Sequence, residues 1–218
     1  MTTIKTIRTV TSKKSTMNFI KNVGTAISSA VTSSGLEMPR YEHLNKPADP
    51  KEIIPYEERH YPESKWASTT IKAMKYEDAT REGFWRLFKY IQGNNETKTT
   101  IPMTAPVRTK IVPGAGPNCE STFTISFYVG DDFVENTPKP SNPDVFIETT
   151  PEMTLFSRQF GGFAKEEQWI EEAKNLSESI NGKEKFETGY YYTNGYDSPF
   201  KLFSRRNEVW FVKTPKDE

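Results

Sequence analysis

The run STFTISFYV at residues 121–129 decides the fold class. Phe123, Ile125, Phe127 and Val129 alternate with Thr122, Thr124, Ser126 and Tyr128. A period of two puts successive side chains on opposite faces, so this is a β-strand with one face for a core and a hydroxyl-rich face opposite. Immediately upstream, PGAGP at residues 113–117 reads as a turn and residues 107–112 as a partner strand. Further upstream, Pro102 and Pro106 each fix their own φ and bias their predecessors away from the α region, so residues 100–107 are extended and stiff.

Working outward, the period changes. At residues 76–92, Tyr76, Thr80, Phe84, Leu87, Phe88 and Ile91 fall at helical spacings and line one face with aromatic bulk. Gly93-Asn94-Asn95 ends this helix with residues that accept the left-handed conformation. Gly83 costs the helix roughly 1 kcal/mol relative to alanine, which is explained either by a close approach of backbone or ligand or by a tolerated surface position. Residues 54–60 and 65–70, separated by Pro62, read as paired strands, although in the second neither face is clearly apolar. Beyond Pro138, Pro140 and Pro143 come strands at 145–149 and 153–160. A helix follows over 164–180, with Trp169, Ala173, Leu176 and Ile180 on one face. Strands at 190–196 and 209–213 close the chain, with Asn194-Gly195 and Arg206-Asn207 as turn candidates.

Strand, strand, helix, strand, strand thus occurs twice, over about 54–129 and 145–213. The reading predicts an α+β fold: a distorted, mostly antiparallel barrel with one helix per half packed outside. The predicted domain spans 39–215, its first residues to Pro55 a linker or extended wrap. Residues 1–38 form an N-terminal extension. Within it Phe19, Ile20, Val23, Ile27 and Val31 have helical spacing, weakened by Ser28, Ser29, Thr32, Ser33 and Ser34. A disordered tail, a helix docked on the body, and a targeting or membrane-surface segment all remain open for it.

Charge and cysteine content narrow the function. The 29 basic and 29 acidic residues cancel, yet residues 1–36 hold five cations and no acid, leaving 24 basic against 29 acidic residues for the rest. An acidic body argues against nucleic acid as a partner, since phosphate recognition needs a basic field. Cys119 is alone, so neither an internal disulfide nor a cysteine-based metal site is available. No stretch approaches a membrane span and no secretory leader is visible, which points to a cytoplasmic protein, with mitochondrial association as an alternative for the basic extension. No glycine fingerprint, Walker loop, HExxH or nucleophile elbow occurs, and His43 and His60 are the two histidines. The pattern is that of a binding protein and not an enzyme.

Several strings carry a resemblance: YEERHYPESKWASTT at 56–70, FWRLFKYIQG at 84–93, IPMTAPV at 101–107, GAGPNCESTFTISF at 114–127, DVFIETTPEMTLFSRQFGGF at 144–163 and YYYTNGYDSPFKLFSRRNEVW at 190–210. Together they resemble the SOUL haem-binding family over about 160 residues. The resemblance implies two βαββ-like halves in a distorted barrel flanked by two helices, and binding of haem or a related tetrapyrrole in a shallow apolar groove. It also implies that His60, in the RHY string, is a candidate axial ligand to haem iron, with no other metal site. Two alternatives come with it. One is a protein-interaction module engaging an apoptosis-regulating partner through the helix at 164–180, with Trp169, Ala173, Leu176 and Ile180 as its contact residues. Here the helix departs from that motif, lacking the leucine with a Gly-Asp pair four residues on. The other is a hydrolase of the effector-binding-domain type, for which Glu57, Glu58 and Glu148 are the available carboxylates.

Overall fold

The computed structural model describes residues 35–45, 54–116 and 118–215, so the readings of the first 34 residues lie outside the described part. In chain order the elements are β1 (Glu42–His43), β2 (Glu57–Tyr61), β3 (Ser64–Ala73), α1 (Tyr76–Ile91), β4 (Val107–Val112), β5 (Ser121–Tyr128) and α2 (Asp131–Val134). They continue with β6 (Phe146–Thr150), β7 (Met153–Phe160), α3 (Glu166–Ile180), β8 (Tyr191–Gly195) and β9 (Asn207–Val212). The alternation at 121–129 therefore forms the strand it predicts, and both long helices appear within two residues of their expected bounds.

All nine strands join one antiparallel sheet in the order β1-β2-β7-β9-β8-β4-β5-β3-β6. Leaving aside two-residue β1, the order is the same from either end when β2, β3, β4 and β5 are matched with β6, β7, β8 and β9. The centre of this symmetry is the β4–β8 ladder, in which Thr109 faces Thr193. The first strand of each half pairs with the other half: β2 with β7, and β6 with β3.

The barrel expected from sequence does not close. β1 and β6 lie at opposite ends of the strand order with no ladder between them. The physical reason is that the halves join edge to edge through β4 and β8, which leaves two edges outward, one of them blunted to two residues as edge strands often are. The open sheet is nonetheless strongly coiled. Arg108 on β4 reaches Glu148 on β6 at 3.1 Å, although three strand spacings of about 4.8 Å separate those strands along a flat sheet.

Both long helices lie on one face of this sheet. Residues Ala67, Ile71, Ile111, Phe123, Ile125 and Phe127 form a core with Leu87, Phe88 and Ile91 of α1. Phe156, Val209 and Phe211 do the same with Trp169, Ala173, Leu176 and Ile180 of α3. The coiled inner face holds a third cluster of Tyr61, Leu155, Tyr192 and Trp210. Of the 39–55 stretch, the described residues 39–45 lie against the body, with Leu44 N–H donating to the Glu58 carbonyl at 2.8 Å, and Glu37, placed in the extension by the sequence reading, accepts from Ala105 N–H at 2.9 Å. No helix among the described residues is long and apolar enough to cross a membrane.

Candidate functional site

The inner face is plugged by paired charges and rings. Arg59 of β2 binds the Glu208 carboxylate of β9 through two nitrogens, at 2.8 and 3.1 Å. Arg206 donates to the same carboxylate at 2.6 and 2.8 Å, and Tyr196 Oη and Trp210 Nε1 donate at 2.8 Å each. Burial alone would push the Glu208 carboxyl up, but the adjacent Arg59 and Arg206 guanidiniums outweigh it and hold the group below the usual carboxylate range. Further along, the buried Arg108 guanidinium lies 3.8 Å from the Trp66 ring centroid and 5.0 Å from that of Tyr192, a cation–ring stack. Apolar grooves open on the helix face.

Two grooves are found there, at opposite ends of the β4–β8 ladder. The first, of about 220 Å³, runs between Phe84, Trp85 and Phe88 of α1, Met103 and Val107 at the start of β4, and residues 195–200 after β8, with Leu36 closing one end. Its lining is almost wholly apolar. The second, of about 490 Å³, lies between Tyr76 and α3, over Ile111, Phe123, Tyr191 and Phe211, and its rim carries Glu166, Lys174, Ser177 and Thr188. The helices explain the difference. Leu87 and Ile91 on α1 and Leu176 and Ile180 on α3 are equivalent buried pairs spaced by four. Counting from those pairs, α1 offers Phe84 and Phe88 to its groove where α3 offers Ala173 and Ser177.

The sequence candidates are not brought together. His60 sits half-buried on β2 with Nδ1 3.3 Å from Thr154 Oγ1. β7 and β9 separate it from β8, about 14 Å at ordinary strand spacing, and it lines neither groove. The expected groove beside His60 is neither of these two, and the aromatic-lined one lies beside α1. His43 on β1 has Nδ1 3.4 Å from Glu57. No cluster of three or more metal-ligating side chains occurs among the described residues. Glu57 accepts from Arg59 Nε at 2.7 Å, Glu58 from Lys213 at 2.7 Å, and Glu148 from Ser68 at 2.8 Å, so each carboxylate is engaged in a different place. Trp169, Ala173, Leu176 and Ile180 are all buried in the core, Trp169 and Ala173 also lining the second groove. The residues that sequence reading missed are Trp85 and Phe200. Both belonged to the quoted strings, and the signal was an aromatic side chain on the helix flank and another in a Pro-containing loop.

The model of the family described as SOUL heme-binding protein matches residues 36–212. The chain belongs to this family. It is 44% identical over 159 residues to Heme-binding protein 2 of Homo sapiens, covering 72% of this chain and 78% of that one. Against Heme-binding protein 2 of Mus musculus the identity is 40% over 183 residues, covering 82% and 86%. Heme-binding protein 1 of Xenopus laevis is 32% identical over 163 residues, covering 75% and 86%. Among solved structures, the C-terminal domain of EcmrR superposes with a TM-score of 0.54 at 12% identity, covering 74% of this chain and 98% of that one. A hydrolase from Listeria innocua gives 0.50 at 9%, covering 73% and 91%. At such identities these two speak for the fold alone. In this SOUL-family chain, then, the apolar groove beside α1 is the strongest candidate site. Its lining residues 36–200 fall inside the matched segment.

Proposed function

We propose that this SOUL-family protein binds haem or a related tetrapyrrole, without catalysing a reaction on it, in the groove beside α1. The carrying observation is the lining: Phe84, Trp85, Phe88, Met103, Val107 and Phe200 present flat and apolar surface with little polar interruption. Each 100 Å² of apolar macrocycle removed from water there contributes about 2.5 kcal/mol. The groove is smaller than the roughly 300–1,000 Å³ of pockets that enclose their ligands, so a macrocycle seated in it stays partly exposed. Its lining residues fit the organic ring better than the metal. Met103 supplies a soft thioether, while the Tyr196 hydroxyl is already committed to Glu208. The iron, when present, brings redox and ligand-exchange chemistry, and the side chains bind and orient the ring around it.

Titration with haem and with iron-free protoporphyrin, followed by absorbance and calorimetry, tests this. Both ligands are expected to saturate at one per chain with similar affinity. Replacing Trp85 and Phe200 together by alanine is expected to weaken both by about ten-fold or more, each side chain withholding part of its apolar contact. His60→Ala and Ser177→Trp, which fills the second groove, are expected to change neither affinity nor the Soret band. Loss of binding in Ser177→Trp would move the site to the α3 groove. Loss of the Soret shift in His60→Ala alone would assign the iron to β2. Non-saturating uptake by the unaltered protein would overturn the tetrapyrrole reading.

A further inference from the structure

The connection between β8 and β9 is an eleven-residue loop, YDSPFKLFSRR at 196–206, and it presents apolar surface beyond the part, up to Phe200, that lines the groove. Phe200, Leu202 and Phe203 are 57%, 66% and 80% exposed, and Phe163 beside them is 55% exposed. Isolated exposed hydrophobics are ordinary, but several together at the tip of one loop mark an interaction surface. The loop does not leave them out for want of structure. Arg205 Nη1 donates to the Ser198 and Lys201 carbonyls at 2.6 and 2.8 Å, while Arg206 N–H and the Lys201 ammonium both bind the Asp197 carboxylate, at 2.5 and 2.7 Å. The chain is thereby closed on itself with its large side chains turned outward. Arg205 also lies 4.3 Å from the Phe163 ring centroid, which ties that ring into the same patch.

Charge decides what such a surface fits. The loop holds Lys201, Arg205 and Arg206 against Asp197 as its one acid; Lys201 pairs with Asp197 and Arg206 with Glu208, while among the described residues Arg205 is held by backbone carbonyls without a carboxylate. It sits on a body, residues 37–218, with 24 basic and 29 acidic residues. An anionic plane therefore attracts this tip and repels the remainder of the body, which orients the molecule tip-first. Aromatic and leucine side chains beside cations are the combination that enters the headgroup and acyl boundary of an anionic bilayer. We infer that the 196–206 loop is a membrane-contact element, seating Leu202 and Phe203 in the interface of a bilayer that carries anionic lipid. Phe200 would then lie between bilayer and groove, since it borders both. The inference stands apart from the tetrapyrrole reading and is tested without any tetrapyrrole.

The full chain is mixed with phosphatidylcholine vesicles with and without phosphatidylserine and bound protein is measured by flotation. Binding is expected with phosphatidylserine present. The double variant Leu202→Ser, Phe203→Ser, whose thermal unfolding should match the unaltered protein because both side chains are exposed, is expected to bind about ten-fold more weakly or worse. In a separate variant, Phe203→Trp, the added emission should move to shorter wavelength on addition of the anionic vesicles. Equal binding by the double variant would leave the five cations of residues 1–36 as the membrane contact and overturn the inference. So would the absence of any vesicle binding, an unshifted emission, or a dimer in the ultracentrifuge that the double variant abolishes, which would assign the patch to a second copy of the chain.

Discussion

Glu208 is wholly buried, and it keeps its charge because two guanidiniums, a phenol and an indole converge on it. The pairing matters more than the burial. Replacing Glu208 by glutamine leaves Arg59 and Arg206 facing one another in the interior without their anion. Removing one partner of a buried pair typically costs about 3–5 kcal/mol, and that loss is expected in urea unfolding of Glu208→Gln at neutral pH. The folded-state pKa of Glu208 is depressed, so its contribution is complete above the unfolded value of about 4.3 and is lost as pH falls through the folded value. The stability gap between the two proteins should therefore narrow as the medium is made more acid. A gap that widens or stays constant would show that the pair is not the source. None of this was legible from composition, where a glutamate beside a turn reads as surface. The one clue was the two-residue spacing between Glu208 and Trp210, which puts both on the same face of a strand.

At the level of elements, α1 was legible and its glycine was not. An added Cβ at Gly83 would lie 2.7 Å from Cδ1 and 2.8 Å from Cγ1 of Ile125, which has no exposed surface into which to retreat. The close approach is thus to a strand of the core and not to a ligand. Gly83→Ala is expected to lower stability by up to about 2 kcal/mol, since overpacking costs about 1–3 kcal/mol and alanine's better helix propensity returns roughly 1 kcal/mol. Chemical denaturation of the single variant checks this, and the double change with Ile125→Val should recover part of the loss. A stabilised Gly83→Ala would show that the helix stands off the sheet. β3 shows the opposite case. Over 65–70 its sequence has no clearly apolar face, yet Trp66, Ala67, Ser68 and Thr69 are all buried. Ser68 can be buried because Ser126 and Glu148 satisfy its hydroxyl at 2.8 Å each. The Asn194-Gly195 pair, a hairpin turn by its letters, stays within β8, and the chain turns later, in the loop at 196–206.

On the scale of the whole molecule, each half lends its first strand to the other, so neither has a complete sheet alone. Unfolding is expected to be one cooperative transition, with tryptophan fluorescence and far-ultraviolet circular dichroism coinciding. Two separated transitions would mean that the β4–β8 ladder joins independent units. This exchange also shows where the sequence stops being informative. Residue periodicity is a local property, and it sufficed for both long helices and for β5 but not for the full extent of β3, while the motif strings sufficed for the family. Which strands become neighbours, whether the sheet closes, which face the helices cover and where the apolar groove opens are set by residues far apart in the chain. Arg59 and Glu208 are separated by 149 positions, and no pattern within either segment contains the other. Their meeting was decided only when the sheet coiled and brought distant side chains into one low-dielectric interior.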